Sequence, residues 1–186
     1  MSKVIQPSAI KLGSLALLLI AVAAAVPAAA GKDNRRPDLG DCHEVEPPAG
    51  NKVAFETYAE GAQVYRWTGT SWAFVAPDAV LYAGGGKDDD VHGVVGTHYA
   101  GPTWESNSGS KVVAAVVDRC TPDPDAIPWL LLEAVSNEGP GIFGKVTYIQ
   151  RLYTEGGLAP ADPGEFVGEE AYVPYSATYV FYRKHK

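Results

Sequence analysis

The sequence has little cysteine, little positive charge and, past residue 30, no apolar run of bilayer length. Each scarcity removes a class of function. The largest basic clusters are Arg35–Arg36 and the tail of Arg183, Lys184 and Lys186. Nucleic acid and anionic membrane surfaces both require a positive patch, so neither is expected as a partner. Cysteine occurs twice, at Cys42 and Cys120, with no Cys-x-x-Cys spacing and only His43 as an adjacent imidazole. A thiolate metal site or a dithiol redox centre needs more than that. No Gly-x-Ser-x-Gly elbow is present, and Ser106, Ser108 and Ser110 belong to a Ser/Gly turn that explains them without nucleophilic chemistry. Nor is there an Asn-x-Ser/Thr glycan acceptor.

What is present starts with an export signal. Lys3 and Lys11 form a positive n-region, Leu12 to Ala23 an apolar h-region, and Ala28, Ala29 and Ala30 offer small side chains for cleavage before Gly31. The alternative is an uncleaved anchor, because Leu12 to Ala30 is nineteen residues long. Pro27 and the run of small residues favour cleavage and a periplasmic or extracellular protein, with no membrane span left. Loss of residues 1–30 removes two of the 15 basic residues and none of the 22 acidic ones, moving the net charge from −7 to −9. In an oxidising compartment Cys42 and Cys120 are most simply one disulfide. It would tie an irregular, Pro-rich lead-in over residues 31–50 to a domain over 51–186.

That domain reads as all-β: one antiparallel sandwich or barrel of about eight to ten strands with long Gly/Pro loops. Val53–Tyr58, Ala62–Trp67, Trp72–Val75, Ala79–Ala83 and Gly93–Tyr99 are short apolar or alternating runs. Thr68-Gly69-Thr70-Ser71 is a hairpin signal that puts Tyr65, Trp67, Trp72 and Phe74 on one face. Val112–Val117 is apolar on both faces and predicts a buried central strand. Trp129–Leu132 and Val146–Tyr153 add strands, and in Tyr172–Arg183 the odd positions Val173, Tyr175, Ala177, Tyr179 and Phe181 make an apolar face.

Five ordered motifs carry a family resemblance: Gly96-Thr97-His98-Tyr99-Ala100-Gly101-Pro102-Thr103-Trp104-Glu105, Ala126-Ile127-Pro128-Trp129-Leu130-Leu131-Leu132, Val146-Thr147-Tyr148-Ile149-Gln150-Arg151, Gly156-Gly157-Leu158-Ala159-Pro160 and Val173-Pro174-Tyr175-Ser176-Ala177. Together they resemble domain-of-unknown-function family 3455, over roughly Pro48 to Tyr182. The resemblance implies a secreted bacterial or fungal protein and brings no established activity. Members often carry a cysteine just after the Gly-Gly-x-Ala-Pro stretch, where this chain has Ala161-Asp162-Pro163. Some fungal members bear the label malate dehydrogenase. Its one support here is Gly139-Pro140-Gly141-Ile142-Phe143-Gly144, formally Gly-x-Gly-x-x-Gly. A dinucleotide site needs that loop to open a helix, whereas Lys145-Val146-Thr147-Tyr148-Ile149 predicts a strand. The match is a turn.

Three places remain where chemistry or binding is conceivable. His98 with His92 and Glu105 is a candidate divalent-metal set or acid/base pair, since an even separation puts both histidines on one strand face and a Gly-Pro turn precedes Glu105. Against it stands a His98 that merely hydrogen-bonds backbone, which is the commoner case. Asp88-Asp89-Asp90 offers oxygens to calcium but lacks the spaced pattern of a dedicated loop. Tyr65, Trp67, Trp72 and Phe74, with Trp104, are candidates for a glycan-stacking or other binding surface, or else face the core. The leading expectation is a non-enzymatic exported module for a small-molecule, glycan or cell-envelope ligand. The alternative is a metal-binding protein or metal-dependent enzyme centred on His98.

Overall fold

Alternating apolar residues close into a barrel when each strand keeps one face inward and the first strand finds the last. A computed structural model of the chain describes residues 35–84 and 92–185. Eight antiparallel strands follow one another as neighbours: β1 (Asn51–Trp67), β2 (Trp72–Ala83), β3 (His92–Tyr99), β4 (Thr103–Ser106), β5 (Lys111–Cys120), β6 (Trp129–Glu138), β7 (Tyr148–Gly156) and β8 (Glu170–Lys184). Pairing of β1 with β8, from Asn51↔Lys184 to Arg66↔Glu170, closes the barrel. The architecture is thus the barrel rather than the sandwich. Residues 1–30, the expected signal, and Asp88–Asp90 lie outside the described residues.

Eight strands fall within the expected eight to ten, but the first two are longer than the sequence suggests. Val53–Tyr58 and Ala62–Trp67 are parts of one strand, and so are Trp72–Val75 and Ala79–Ala83. Gly61 lies inside β1, where a Cβ would come 2.1 Å from the Asp78 carbonyl oxygen. Gly96 plays the same part in β3, against the Glu105 carbonyl oxygen at 2.3 Å. Glycine here permits close approach of backbones at a curved wall instead of breaking the strand. Val112–Val117 is likewise corrected: Val112 and Ala114 are buried, but Val116 and Val117 are 41% and 50% exposed. Among the described residues nothing covers the outer face of β5 at Val117, and the strand runs out to the rim of the barrel.

Inward positions hold Ala59, Leu81, Trp104, Val112, Leu132, Ile149, Ala177, Tyr179 and Phe181. Outward neighbours include Glu56, Glu60, Asp78 and Glu133, all exposed. A charged exterior around an apolar interior is the reverse of a barrel that faces lipid. No helix among the described residues is long and apolar enough to cross a membrane.

One barrel end is stoppered by the segment between β6 and β7. Phe143 and Val146 are buried, and the Phe143 ring lies 5.6 Å from Phe55 and 5.1 Å from Phe181. Its backbone is fully engaged. Phe143 N–H donates to Ser110 Oγ at 3.0 Å, and Asn137 Nδ2 donates to the Phe143 and Val146 carbonyls at 2.7 and 3.2 Å. The Gly-x-Gly-x-x-Gly match falls in this stopper. It turns through Gly144 N–H to Gly141 O at 3.1 Å and opens no helix before β7.

The lead-in is not a loose extension over its described part. Cys42 and Val45, around a short 3-10 turn at His43–Val45, pack with Leu131, Leu152, Val180 and Tyr182 on the outside of the barrel. Buried Gln150 joins the layers, donating to Val45 O at 2.6 Å and accepting from Tyr182 Oη at 2.6 Å. Cys42 and Cys120 form the disulfide, bridging 78 residues.

Candidate functional site

At the other end the interior is partly empty. A cavity of about 100 Å³ is walled by Phe74, Pro77, Pro102, Val116, Leu130 and Leu132, with Gln63, His98, Trp104, Arg151 and Tyr179 among its lining. β3 and β4 pair so that His98 stands opposite Trp104, and strand alternation turns both inward. Their rings stack at 4.2 Å and 11°, with Tyr179 edge-on to each at 5.0 and 5.3 Å. At the rim Phe74 is 54% exposed.

His98 Nδ1 meets the Thr103 carbonyl at 2.8 Å. A carbonyl only accepts, so Nδ1 carries the proton and Nε2 keeps a lone pair. Complete burial, opposed by the Thr103 hydrogen bond and aided by the field of Arg151, pushes the His98 pKa down to about 3. His98 is therefore neutral at physiological pH. Burial also raises the Tyr175 and Tyr179 hydroxyls above their ordinary range, and Arg151 partly offsets it.

Two buried donors of this lining have no partner: Trp104 Nε1 and Gln63 Nε2. An unmet buried donor costs on the order of 1–3 kcal/mol, and native interiors hold few of them. Arg151 is half-buried and is held by two bonds from Nε and Nη2 to Pro128 O, at 3.1 and 2.8 Å. Among the described residues no carboxylate pairs with it.

The predicted site residues divide. His98 and Trp104 are together in the cavity. Glu105 pairs with Thr97, one place out of step with His98, and so projects from the outer face, where Tyr99 Oη donates to it at 2.5 Å. His92 opens β3 opposite Ala83, six residues from His98 and so about 20 Å away along the strand. Metal ligands must lie within about 2.6 Å of one ion, and these three are not brought together. Even spacing along a strand gives a shared face but no proximity.

Tyr65, Trp67, Trp72 and Phe74 do share a face, as Tyr65↔Phe74 and Trp67↔Trp72 pairs. They do not form one flat platform. Tyr65 is buried and donates to Gly157 O at 2.6 Å. Trp67 and Trp72 are tilted by 56°, and Trp72 Nε1 donates to Asp162 O at 2.9 Å, drawing the loop after Gly157 against the hairpin. Only Phe74 reaches the cavity.

The model of a family described as a protein of unknown function (DUF3455) matches residues 48–183. The chain belongs to that family. Searches of curated proteins and of solved structures find no match. The family match spans all eight strands up to Arg183, so the cavity and the stopper are both parts of the DUF3455 domain. Gln63 and Arg151 escaped notice as site residues in the sequence. The available signal was parity: Gln63 is in step with Ala59, and Arg151 with Ile149, at positions an apolar side chain would otherwise fill.

Proposed function

We propose that this DUF3455 protein is an exported, non-enzymatic carrier or sensor that takes one small, largely apolar organic molecule into the open end of its barrel. Unpartnered Trp104 Nε1 and Gln63 Nε2 in the lining of an apolar cavity carry the reading. Eight-stranded barrels either fill with side chains or hold one small ligand, and unmet donors beside a void favour the second. The disulfide and the lead-in of the sequence are compatible with export. A metal centre on His98, His92 and Glu105 has no geometric support, and a neutral His98 with no acidic partner is a poor start for acid/base work.

Titration with the neutral dye N-phenyl-1-naphthylamine tests the binding. One saturable site is expected, lost in Val116→Trp, which fills the rim. Absence of saturable binding to the native chain would sink the proposal. Mass measurement of the mature protein should show a chain starting near Gly31; an intact Met1 would refute export by cleavage.

A further inference from the structure

The lining of the cavity carries one charge. Every other described side chain facing the barrel interior is apolar or uncharged, whereas Arg151 stands in step with Ile149 and enters between Leu130 and Tyr179. The exterior is acidic and the whole chain carries −7, yet no carboxylate reaches this guanidinium among the described residues. A half-buried cation without a counter-ion is costly, because the interior solvates it poorly. Pro128 O satisfies two of its N–H groups and gives orientation but no charge. The Tyr179 hydroxyl accepts a further bond from the guanidinium, again without supplying charge, while Trp104 Nε1–H and Gln63 Nε2–H lack any partner, and all belong to the same lining.

We infer that the ligand is an amphipathic carboxylic acid, its carboxylate seated on Arg151 with Trp104 and Gln63 as further donors and its apolar body leaving past Phe74 and Val116. The inference rests on the binding reading above and adds the chemistry of the head. A planar fork of N–H groups matches a carboxylate in two parallel bonds, which an alcohol or amide cannot reproduce. The cavity of about 100 Å³ holds a head and a few carbons. A longer body must lie along the apolar rim, which explains why Phe74 and Val116 stay exposed there. His98 supports the head without charge. Its face is stacked on Trp104 and holds that indole in place, and its Nε2 can accept from water or from the acid form.

Binding of decanoate, decan-1-ol and decyltrimethylammonium to the full chain, read by displacement of N-phenyl-1-naphthylamine at neutral pH, tests the head. Decanoate should bind about 10- to 100-fold more tightly than decan-1-ol, as a charge-assisted pair predicts. Arg151→Gln should bring decanoate down to the level of decan-1-ol and leave decan-1-ol unchanged. Arg151→Lys should recover part of the loss, which a purely structural role through Pro128 would not allow. Should Arg151→Gln fail to fold, Gln63→Leu, which keeps the shape and removes a donor, is expected to weaken decanoate by about threefold to tenfold and decan-1-ol by less, because a donor bond to a charged oxygen is the stronger. Equal affinity for decanoate and decan-1-ol, or preference for the ammonium, would overturn the carboxylate head while leaving the cavity reading intact. Failure of all three to displace a saturably bound dye would likewise overturn the carboxylate head, and absence of saturable dye binding would overturn both.

Discussion

The two ends of the barrel are made by the same eight strands and finished in opposite ways. At one end Phe143 is buried against Phe55 and Phe181, and Ser110 and Asn137 meet its backbone groups one by one. At the other, Phe74 and Val116 are left in solvent while Trp104 Nε1 and Gln63 Nε2 go without partners. Polar groups buried without partners are a cost that folding alone would remove. A single barrel therefore holds its own comparison. The stoppered end shows how fully this chain can meet the backbone of a buried segment, and the open end leaves two side-chain N–H donors unmet beside a cavity.

Breaking the stopper should have the largest effect. Phe143→Ala is expected to cost about 3–5 kcal/mol in urea unfolding, since the ring is buried among aromatic neighbours; a cost below that of a surface change would remove the contrast between the ends. Next comes the disulfide, whose Cys120 sits where β5 reaches the open end. Replacing both cysteines by alanine frees a 78-residue loop and should cost about 4 kcal/mol by chain entropy. Equal melting with and without reductant would show the open end to be held by packing alone.

Acid should act on the open end through His98. Its pKa is pushed down to about 3 in the fold, below the ordinary 6.5 of the unfolded chain, so between these values the unfolded state binds the extra proton. Stability therefore falls as pH drops from 6.5 towards 3, by at most about 1.4 kcal/mol per unit. His98→Phe should flatten that part of the profile of unfolding free energy against pH; an unchanged slope would assign the acid sensitivity elsewhere. The smallest effect is expected at the rim. Phe74→Ser should alter stability by no more than about 0.5 kcal/mol while weakening dye binding, and a large loss of stability would mean that the rim belongs to the core.

Much of the wall was legible in the sequence because a strand's period of two is a local property. The final strand shows it in which face each residue takes: Tyr175, Ala177, Tyr179 and Phe181 join the interior cluster, while Val180 and Tyr182 are buried on the other face beneath the lead-in. The disulfide followed from having two cysteines and one compartment. Closure was not legible, since the pairing of Asn51 with Lys184 depends on partners at opposite ends of the domain. Strand length was misjudged at Gly61, where a residue that commonly ends strands serves curvature instead. The stopper was read as a turn, which it is, but nothing local says that Phe143 swings under the barrel. Of the candidate site, His98 and Trp104 stood out through rarity and chemistry. Gln63 and Arg151 did not, because a polar residue in a strand is ordinary until its face is known to be the inner one.

Closure of β1 on β8 also sets an order of events. The longest pairing in the molecule joins the first strand to the last, with fifteen registered partners from Asn51 to Arg66. Such contacts come late, because a chain must lose the freedom of everything between them first. Until Glu170–Lys184 has been made, β1 lacks one of its two edges and the barrel is an open, curling sheet with its apolar interior, Leu81, Trp104, Leu132 and Ile149 among it, exposed. A chain that stops before Glu170 should therefore be an aggregating sheet rather than a shortened barrel, and the domain becomes itself only once its final strand is available.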